Sequence, residues 1–70
     1  MPEEVKSAAE ATEIAQSFIK KYRILARPMK AIREDDTWLV EIDVGALDIR
    51  IAKVKIDAKT TTILEYNIPI

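Results

Sequence analysis

The sequence predicts an α+β fold in which a single N-terminal helix packs on one face of a three- to four-stranded antiparallel β-meander. Three observations support this prediction. Alanine and larger apolar residues recur at helical spacing between positions 8 and 22. From position 28 onwards, apolar and polar residues alternate in short segments, as in strands that cover a core with one face. Only a few residues separate these segments, which favours antiparallel neighbours.

The length and composition describe one small domain covering residues 1–70, and we expect residues 1–6 to form a flexible tail. Hydrophobic residues make up 49% of the chain and charged residues 33%, with a net charge of −1, which is typical of a globular domain and not of a disordered chain. A domain of this size buries only about 60% of its unfolded surface, so a partner would add stability.

The residue types that are missing limit the chemistry. The chain has no cysteine and no histidine, which removes thiol nucleophiles, disulfides and the commonest general base. Ser7 and Ser17 have no base beside them in the sequence. We therefore expect no enzyme activity, no cofactor and no metal site.

The N-terminus lacks the apolar core of a secretory signal, and no apolar run approaches the ~20 residues that a membrane helix needs. We therefore expect a cytoplasmic protein that does not bind membranes.

The first element is a helix, predicted at 8–22. Ser7 and Glu10 form the S-x-x-E pattern of a capping box, in which each side chain bonds a backbone N–H of the first turn. The charges follow the helix dipole, because acids come early and lysines and arginines come late. The predicted buried stripe consists of Ala8, Ala11, Ala15, Phe18 and Tyr22, flanked by Ile14 and Ile19.

The next two elements are strands. Pro28 ends any helix, and residues 29–34 predict a short edge strand followed by a turn at 35–37. Residues 37–44 predict the clearest strand, with Trp38, Val40 and Ile42 on one face and Leu39, Glu41 and Asp43 on the other.

The last two strands are predicted at about 50–57 and 62–68. Side-chain parity suggests pairing Val40 with Val54 and Ile42 with Ala52. It also suggests pairing Val54 with Leu64, and Ile56 with Thr62. The outer face then carries the row Glu41–Lys53–Glu65, whose charges alternate in sign.

The turn between these strands contains three threonines where hairpins often use glycine. One hypothesis is that Thr60 or Thr61 adopts a positive φ, which disfavours a β-branched residue by ~1–2 kcal/mol. The alternative is a longer turn in which the threonines extend the strands.

The segment VKIDAKTTTILEY (54–66) resembles the end of PepSY-type domains, which have a V-x-[VI]-D strand end, an A-x-T-G turn and an apolar return strand. The matching residues are Val54, Ile56, Asp57, Ala58, Thr60, Ile63 and Leu64. Ala11, Ile14 and Ala15 are similar to the A-x-x-[IA]-A pattern of that family's first helix, and TWLVEIDV to its central strand. Thr61 departs from the family, which prefers glycine there. The resemblance implies the predicted fold and a non-catalytic module, such as the propeptide or inhibitory domains of secreted proteases.

One charged segment is a candidate anion-binding site, because it carries six cations without an acid among them. The competing interpretation, a helix C-terminus followed by a protected edge strand, is favoured. Nucleic acid is accordingly a disfavoured but not discarded partner. The six residues are Lys20, Lys21, Arg23, Arg27, Lys30 and Arg33.

Two acidic groups could mimic functional sites. The run Glu34–Asp36 lacks the spaced ligands of a calcium loop, and an ordinary turn is the favoured interpretation. Glu41 and Asp43 share a strand face like a catalytic carboxylate pair. Lys53 beside Glu41 favours a solvated sheet face instead.

The outer sheet face is the candidate interface, since exposed contiguous apolar area usually marks a binding surface. Its predicted contacts are Leu39, Ile49, Ile51 and Ile63. We expect a non-catalytic interaction or regulatory module that binds protein, most simply as a two-fold homodimer through this face or through an edge strand. The alternative is a small anionic-ligand or nucleic-acid-associated protein that uses the basic segment.

Overall fold

The computed structural model describes residues 5–69 and has one helix packed on one face of a four-stranded antiparallel sheet. The predicted α+β fold class is therefore confirmed. The strands lie in the order in which they occur in the chain, so the sheet is a simple meander with β1 and β4 at its edges. The elements are α1 (Ala8–Ile19), β1 (Arg27–Glu34), β2 (Thr37–Asp43), β3 (Ile51–Asp57) and β4 (Ile63–Asn67).

Helix α1 begins with the predicted capping box. The backbone N–H of Glu10 donates to Ser7 Oγ at 3.2 Å, and Ser7 Oγ lies 3.3 Å from Glu10 Oε1. The helix ends at Ile19, three residues earlier than predicted. The chain turns back there to reach β1, and Gln16 Nε2 holds the returning segment by donating to the Ala26 carbonyl at 2.8 Å.

The buried face of α1 is rotated from the predicted stripe. Ala11, Ala15 and Ile19 are fully buried, whereas Ala8 is exposed and Phe18 only half-buried. Small residues at 11 and 15 let the helix approach the sheet closely, and Ile19 fills the space at its end. Tyr22, which was predicted to belong to the stripe, lies beyond the helix and is half-exposed.

The centre of the core follows the predicted alternation in β2 and β3. Val40 lies opposite Val54 and Ile42 opposite Ala52, as predicted, and Trp38 lies opposite Ile56. One face of each strand therefore supplies a continuous buried layer. Its members are Trp38, Val40, Ile42, Ala52, Val54 and Ile56.

The segment before the helix also belongs to the core. Val5 is 1% exposed, its N–H donates to the Ala58 carbonyl at 2.6 Å, and its carbonyl accepts a 2.8 Å hydrogen bond from Trp38 Nε1. Val5, which lies in the segment 1–6 that was expected to be a flexible tail, is therefore packed into the core. The remainder of that prediction, apart from the exposed Lys6, lies outside the described residues.

The predicted register between β3 and β4 is wrong because β4 has an irregularity. Val54 lies opposite Tyr66 instead of Leu64, and Ile56 opposite Ile63 instead of Thr62. The register shifts between Lys55 and Ile56, as in a β-bulge that sets two residues against one. On the outer face, Glu65 consequently lies opposite Lys55, and Asn67 takes the predicted place of Glu65 opposite Lys53.

The turn between β3 and β4, which contains the three threonines, is organised by Asp57. Asp57 Oδ1 accepts hydrogen bonds from the N–H groups of Lys59 and Thr60, and the Asp57 N–H donates to the Thr62 carbonyl at 2.8 Å. Thr61 has a φ of 61°, which confirms the positive-φ hypothesis. The Thr60 and Thr62 hydroxyls bond one another at 2.9 Å.

Strand β1 is the predicted edge strand, extended to include Arg27 and Pro28. It joins β2 through Asp35 and Asp36, and Asp35 has a φ of 56°, which aspartate tolerates better than most residues. The register between the two strands shifts at Met29, between Pro28 and Lys30. Trp38 lies opposite Arg33, whose guanidinium carbon is 5.9 Å from the indole ring centre.

Candidate functional site

The four predicted interface residues do not share one surface. Leu39 and Ile51 lie half-buried on the outer face of β2 and β3. Ile49 lies in the loop between these strands and is 71% exposed. Ile63 lies opposite Ile56 and packs against the core, so its predicted place on the outer face beside Leu39 is wrong.

The outer sheet face is less apolar than predicted. Lys30, Glu41, Lys53 and Asn67 form one row across all four strands, and Lys30 Nζ lies 3.9 Å from Glu41 Oε2. A shallow depression of about 410 Å³ on this side is lined by seven residues, of which Leu39 and Ile51 are the aliphatic members. Charged and polar side chains between them are what a solvated sheet face carries.

A more apolar groove lies on the opposite face, between α1 and β4. It has a volume of about 410 Å³, and Ile14, Phe18 and Ile63 form its apolar wall. Glu13, Ser17 and Lys21 line its rim along one side of the helix. The groove exists because α1 lies over β1, β2 and part of β3, and leaves β4 beyond the reach of its backbone.

An aromatic cluster joins α1 to β4 and shares Phe18 with this groove. The Phe18 ring centre lies 4.8 Å from that of Tyr66 and 5.4 Å from that of Tyr22, both in edge-to-face geometry. Tyr22 and Tyr66 stack at 6.3 Å. These contacts tie β4 to the helix, although Tyr22 and Tyr66 remain 54% and 52% exposed.

Strand β4 presents unpaired backbone groups at the sheet edge. Donor and acceptor directions alternate along a strand, and the Asp57 N–H points towards β4, where it bonds Thr62. Lys55 and Lys53 therefore also face β4, and their partners Glu65 and Asn67 face β3. By alternation, the backbone N–H and C=O groups of Tyr66 point outwards, whereas the irregularity between Ile63 and Glu65 interrupts the alternation at Leu64.

The two sheet edges differ in how well they are protected. β1 carries Pro28, Lys30 and Arg33, which oppose pairing with another strand, whereas a register shift occurs beside both edges. β4 has the sequence ILEYN, whose one charge is Glu65, and Leu64 at this edge is 52% exposed. β4 is the edge at which a further strand could be added.

The basic segment does not form a single anion site. Arg27 and Arg33 lie six positions apart on β1, a separation of roughly 20 Å. Arg27 is bound to Asp43 at 2.9 Å, Lys30 to Glu41 at 3.9 Å, and Arg33 to Asp36 at 3.9 Å. Arg23 donates to the Pro69 carbonyl at 2.6 Å. Lys20 and Lys21 follow the end of α1 and are exposed.

Glu41 and Asp43, which were considered as a carboxylate pair, bond to different partners. Asp43 is 4% exposed and accepts hydrogen bonds from the N–H groups of Gly45 and Arg50 and from Arg27 Nη2. The Gly45 and Arg50 N–H groups, followed by Arg27, lower the pKa of Asp43 from 3.8 to about 2. A carboxylate held in this way organises the β2–β3 loop and is a poor proton acceptor.

Sequence reasoning missed the main features of the β4 side. The groove exists because Ile14 and Phe18 lie at the edge of the interface between helix and sheet. Sequence periodicity instead assigned Phe18 to the centre of the buried helix face. The spacing of Phe18 and Tyr22 is a sequence signal for their contact, but it does not identify Tyr66 as the third ring. The outward direction of β4 could not be found before its register was known.

Two features are absent from the described part of the chain. Between residues 5 and 69, no helix has the length and apolar character needed to cross a bilayer. In the same range, no three histidine, cysteine, aspartate or glutamate side chains are grouped so that they could hold a metal ion.

Comparisons with known proteins give no match to a family model, to a curated protein or to a solved structure. The resemblance to PepSY-type domains therefore stays a prediction that depends on the short motifs quoted above.

Proposed function

We propose that this chain is a non-catalytic protein-interaction module whose binding surface is its β4 side, made up of the β4 edge and the α1–β4 groove. The observation that carries the proposal is the contrast between the two sheet edges. β1 has a proline and three cations that oppose pairing with a further strand. β4 has exposed Leu64 and Tyr66 beside an apolar groove.

Three properties of this side suit a protein partner. The outward N–H and C=O groups of Tyr66 can form main-chain hydrogen bonds with an added strand. The groove wall of Ile14, Phe18 and Ile63 can accept an apolar side chain. Tyr22 and Tyr66 offer half-exposed rings, and tyrosine is among the residues that most often dominate binding energy at interfaces.

Site-specific photo-cross-linking tests the proposal. A photoreactive amino acid replaces Leu64 in one chain, Met29 in a second and Ile32 in a third, and the chains are irradiated in the cells that produce the protein naturally. Met29 is a matched control because it is also 52% exposed and lies on the opposite edge. Ile32, 40% exposed, reports on the outer face.

We expect discrete adducts from position 64 that are absent or much weaker from positions 29 and 32. Equal labelling from all three positions, or no adduct from position 64, would contradict the proposal. The adduct mass also identifies the partner class, because a second copy of the chain gives twice the monomer mass.

The alternative function, binding of an anionic ligand or nucleic acid, has less support. Arg27, Lys30 and Arg33 each have a carboxylate partner within 4 Å. Lys20→Glu tests the alternative separately, since Lys20 is exposed and does not line the α1–β4 groove. Retention on heparin that disappears in this variant, with thermal stability unchanged, would favour the alternative.

A further inference from the structure

We propose that one end of the molecule docks on the surface of an anionic lipid bilayer. This loop end consists of residues 23–26, which lead into β1, and residues 44–50, which join β2 to β3. It is a different surface from the β4 side, so the inference goes beyond the proposed function and does not depend on it. Docking by loop tips requires no membrane-spanning segment, on whose lack the expectation of no membrane binding depended.

The antiparallel order of the strands brings the two segments of the loop end together. Arg27 at the start of β1 lies opposite Asp43 at the end of β2, and Ile51 at the start of β3 lies opposite the same residue. Arg27 Nη2 then joins the segments by donating to the Gly45 carbonyl at 2.6 Å. A depression of about 350 Å³ between them is lined by residues of both segments and by Pro69.

Each segment presents an aliphatic side chain almost entirely to water. Ile24 and Leu47 are both 98% exposed, more than any other large hydrophobic residue that the structure describes, and Ile49 is 71% exposed. Their chain neighbours Arg23 and Ala46 line the same depression. Side chains this exposed protrude from the surface. The interfacial region of a bilayer can receive such protruding aliphatic groups without a preformed pocket.

The base of the β2–β3 loop is held in place, so Leu47 lies at the tip of an organised loop. Asp43 Oδ1 accepts the N–H groups of Gly45 and Arg50 at 2.9 and 3.0 Å. The Val44 N–H donates to the Arg50 carbonyl at 2.8 Å. A loop closed in this way loses little conformational entropy when it docks.

The charges of the loop end are complementary to anionic lipid. Arg23 and Arg50 line the depression. Arg23 donates one hydrogen bond to the Pro69 carbonyl, and a guanidinium has further N–H groups that can bind a phosphate. Within the described residues 20–27 and 43–50, the acids are Asp48 and the buried Asp43. The cations of these two ranges are Lys20, Lys21, Arg23, Arg27 and Arg50.

The opposite end of the sheet has the contrary character. Its two turns contain Glu34–Asp36 and Asp57. An anionic surface therefore attracts the loop end and repels the acids of the turns, which orients the molecule.

A bilayer explains both features of the loop end, whereas nucleic acid explains one. Cations alone would suit a phosphate backbone. Proteins that bind single strands place aromatic rings under the bases, and the protruding residues here are the aliphatic Ile24 and Leu47. Charge and exposed aliphatic groups together favour a surface that offers anionic headgroups above hydrocarbon.

Flotation with lipid vesicles tests the proposal. The vesicles are phosphatidylcholine with or without roughly a quarter of phosphatidylglycerol, which supplies the negative charge. At about 1 mM lipid, where even one acyl chain binds a bilayer, we expect the protein to float with the anionic vesicles alone. Salt at about 0.5 M should release it, because the charges are screened. No flotation with the anionic vesicles would overturn the proposal, as would equal flotation with both kinds.

Ile24→Ser combined with Leu47→Ser tests the loop tips. This double variant should bind the anionic vesicles more weakly by roughly ten-fold or more, because it buries less apolar area. Its thermal unfolding should be unchanged, since both side chains are exposed. Leu64→Ser is the matched control: it replaces an exposed leucine on β4 and should float like the unaltered chain. A folded double variant that floats equally well would overturn the proposal.

Retention on heparin distinguishes a bilayer from a soluble polyanion. The double variant keeps every cation, so any heparin retention of the unaltered chain should be unchanged while vesicle binding falls. Vesicle binding that instead follows heparin retention in both chains would overturn the proposal and favour an anionic ligand.

A dye that reports on its surroundings tests the orientation, and the absence of native cysteine makes labelling specific. Leu47→Cys carries the dye at the loop end, and Lys59→Cys carries it in the β3–β4 turn at the other end, both at exposed positions. Anionic vesicles should shift the emission to the blue at position 47 and leave position 59 unchanged. Equal shifts at both positions, or no shift at position 47, would overturn docking by the loop end. Loss of vesicle binding would leave the cross-linking expected at position 64, and with it the proposed function, unaffected.

Discussion

Thr61 shows how a single backbone angle is imposed by its neighbours. The Thr61 N–H donates to the Asp57 carbonyl at 2.9 Å. The Asp57 side chain accepts hydrogen bonds from the N–H groups of Lys59 and Thr60, the two residues that precede Thr61. The turn therefore sets φ at 61° although a β-branched side chain disfavours that region.

Replacing Thr61 with glycine should raise the free energy of unfolding by ~1 kcal/mol, because glycine adopts this φ without steric cost. Urea denaturation measures the change. Thr60→Gly is the matched control: Thr60 has no positive φ and its hydroxyl bonds Thr62, so this variant should be destabilised. Equal shifts in the two variants would show that φ at Thr61 carries no strain.

Asp43 should make stability depend on pH in a narrow acidic window. Its pKa is lowered from 3.8 to about 2 in the folded chain by the N–H groups of Gly45 and Arg50 and by Arg27. A lowered folded pKa favours folding when the carboxyl is ionised. The contribution is therefore complete above about pH 4 and is lost as the pH falls towards 2.

The measurement is the urea midpoint between pH 2 and pH 6 for the unaltered chain and for Asp43→Asn. The variant should be less stable at pH 6, and the difference should shrink as the pH falls through the window. A difference that stays constant over the whole range would mean that charge on Asp43 does not contribute.

At the scale of the elements, regular strands could be predicted and irregular ones could not. The β2–β3 register follows from parity because residues 38–42 and 52–56 alternate without interruption. In β4, Ile63 and Leu64 are adjacent apolar residues, so parity alone allowed either to face the core. The Asp57 turn and the irregularity after it selected Ile63, and the sequence pattern contains no separate signal for that choice.

The β2–β3 loop depends on close approach of its backbone at Gly45. A Cβ at this position would overlap the carbonyl oxygen of Asp48 and press on the Arg50 N–H. Gly45 also donates to Asp43 and accepts from Arg27, so a shift of the loop would weaken the bonds around that carboxylate.

Gly45→Ala should therefore destabilise the chain by about 1–3 kcal/mol, the usual range for overpacking. Thermal unfolding measures it. Ala46→Ser, at the exposed neighbouring position, should change stability little. An unchanged melting temperature for Gly45→Ala would mean that the loop has room to move.

At the scale of the molecule, the sequence predicts which face of the sheet the helix covers. It does not predict how many of the four strands the helix covers. Parity identified the core face of β2 and β3, and with it the outer face of Leu39 and Ile51. The helix is shorter than predicted and lies towards β1, so β4 is left open on the core side. The candidate surface consequently moves from Leu39 and Ile51 to the β4 side, where Ile63 lies.

Trp38 connects the N-terminal segment to the sheet and should report on it. Because Trp38 is 7% exposed, its fluorescence should be blue-shifted and resist quenching by iodide. Trp38→Ala should cost about 3–5 kcal/mol. A chain that begins at Lys6 lacks the Val5 carbonyl and should show red-shifted, more quenchable emission. Unchanged emission after this truncation would mean that Val5 does not shield the indole.

The Val5 contact has a consequence for the order of folding events. The hydrogen bond between Val5 and Trp38 joins residues that are 33 positions apart, whereas the meander joins strands that follow one another in the chain. Closing a longer loop loses more chain entropy, so local hairpins form sooner. We therefore expect the N-terminal segment to dock after the transition state. Mutations at Val5 should accelerate unfolding and leave the folding rate nearly constant, whereas mutations in the β2–β3 hairpin should slow folding.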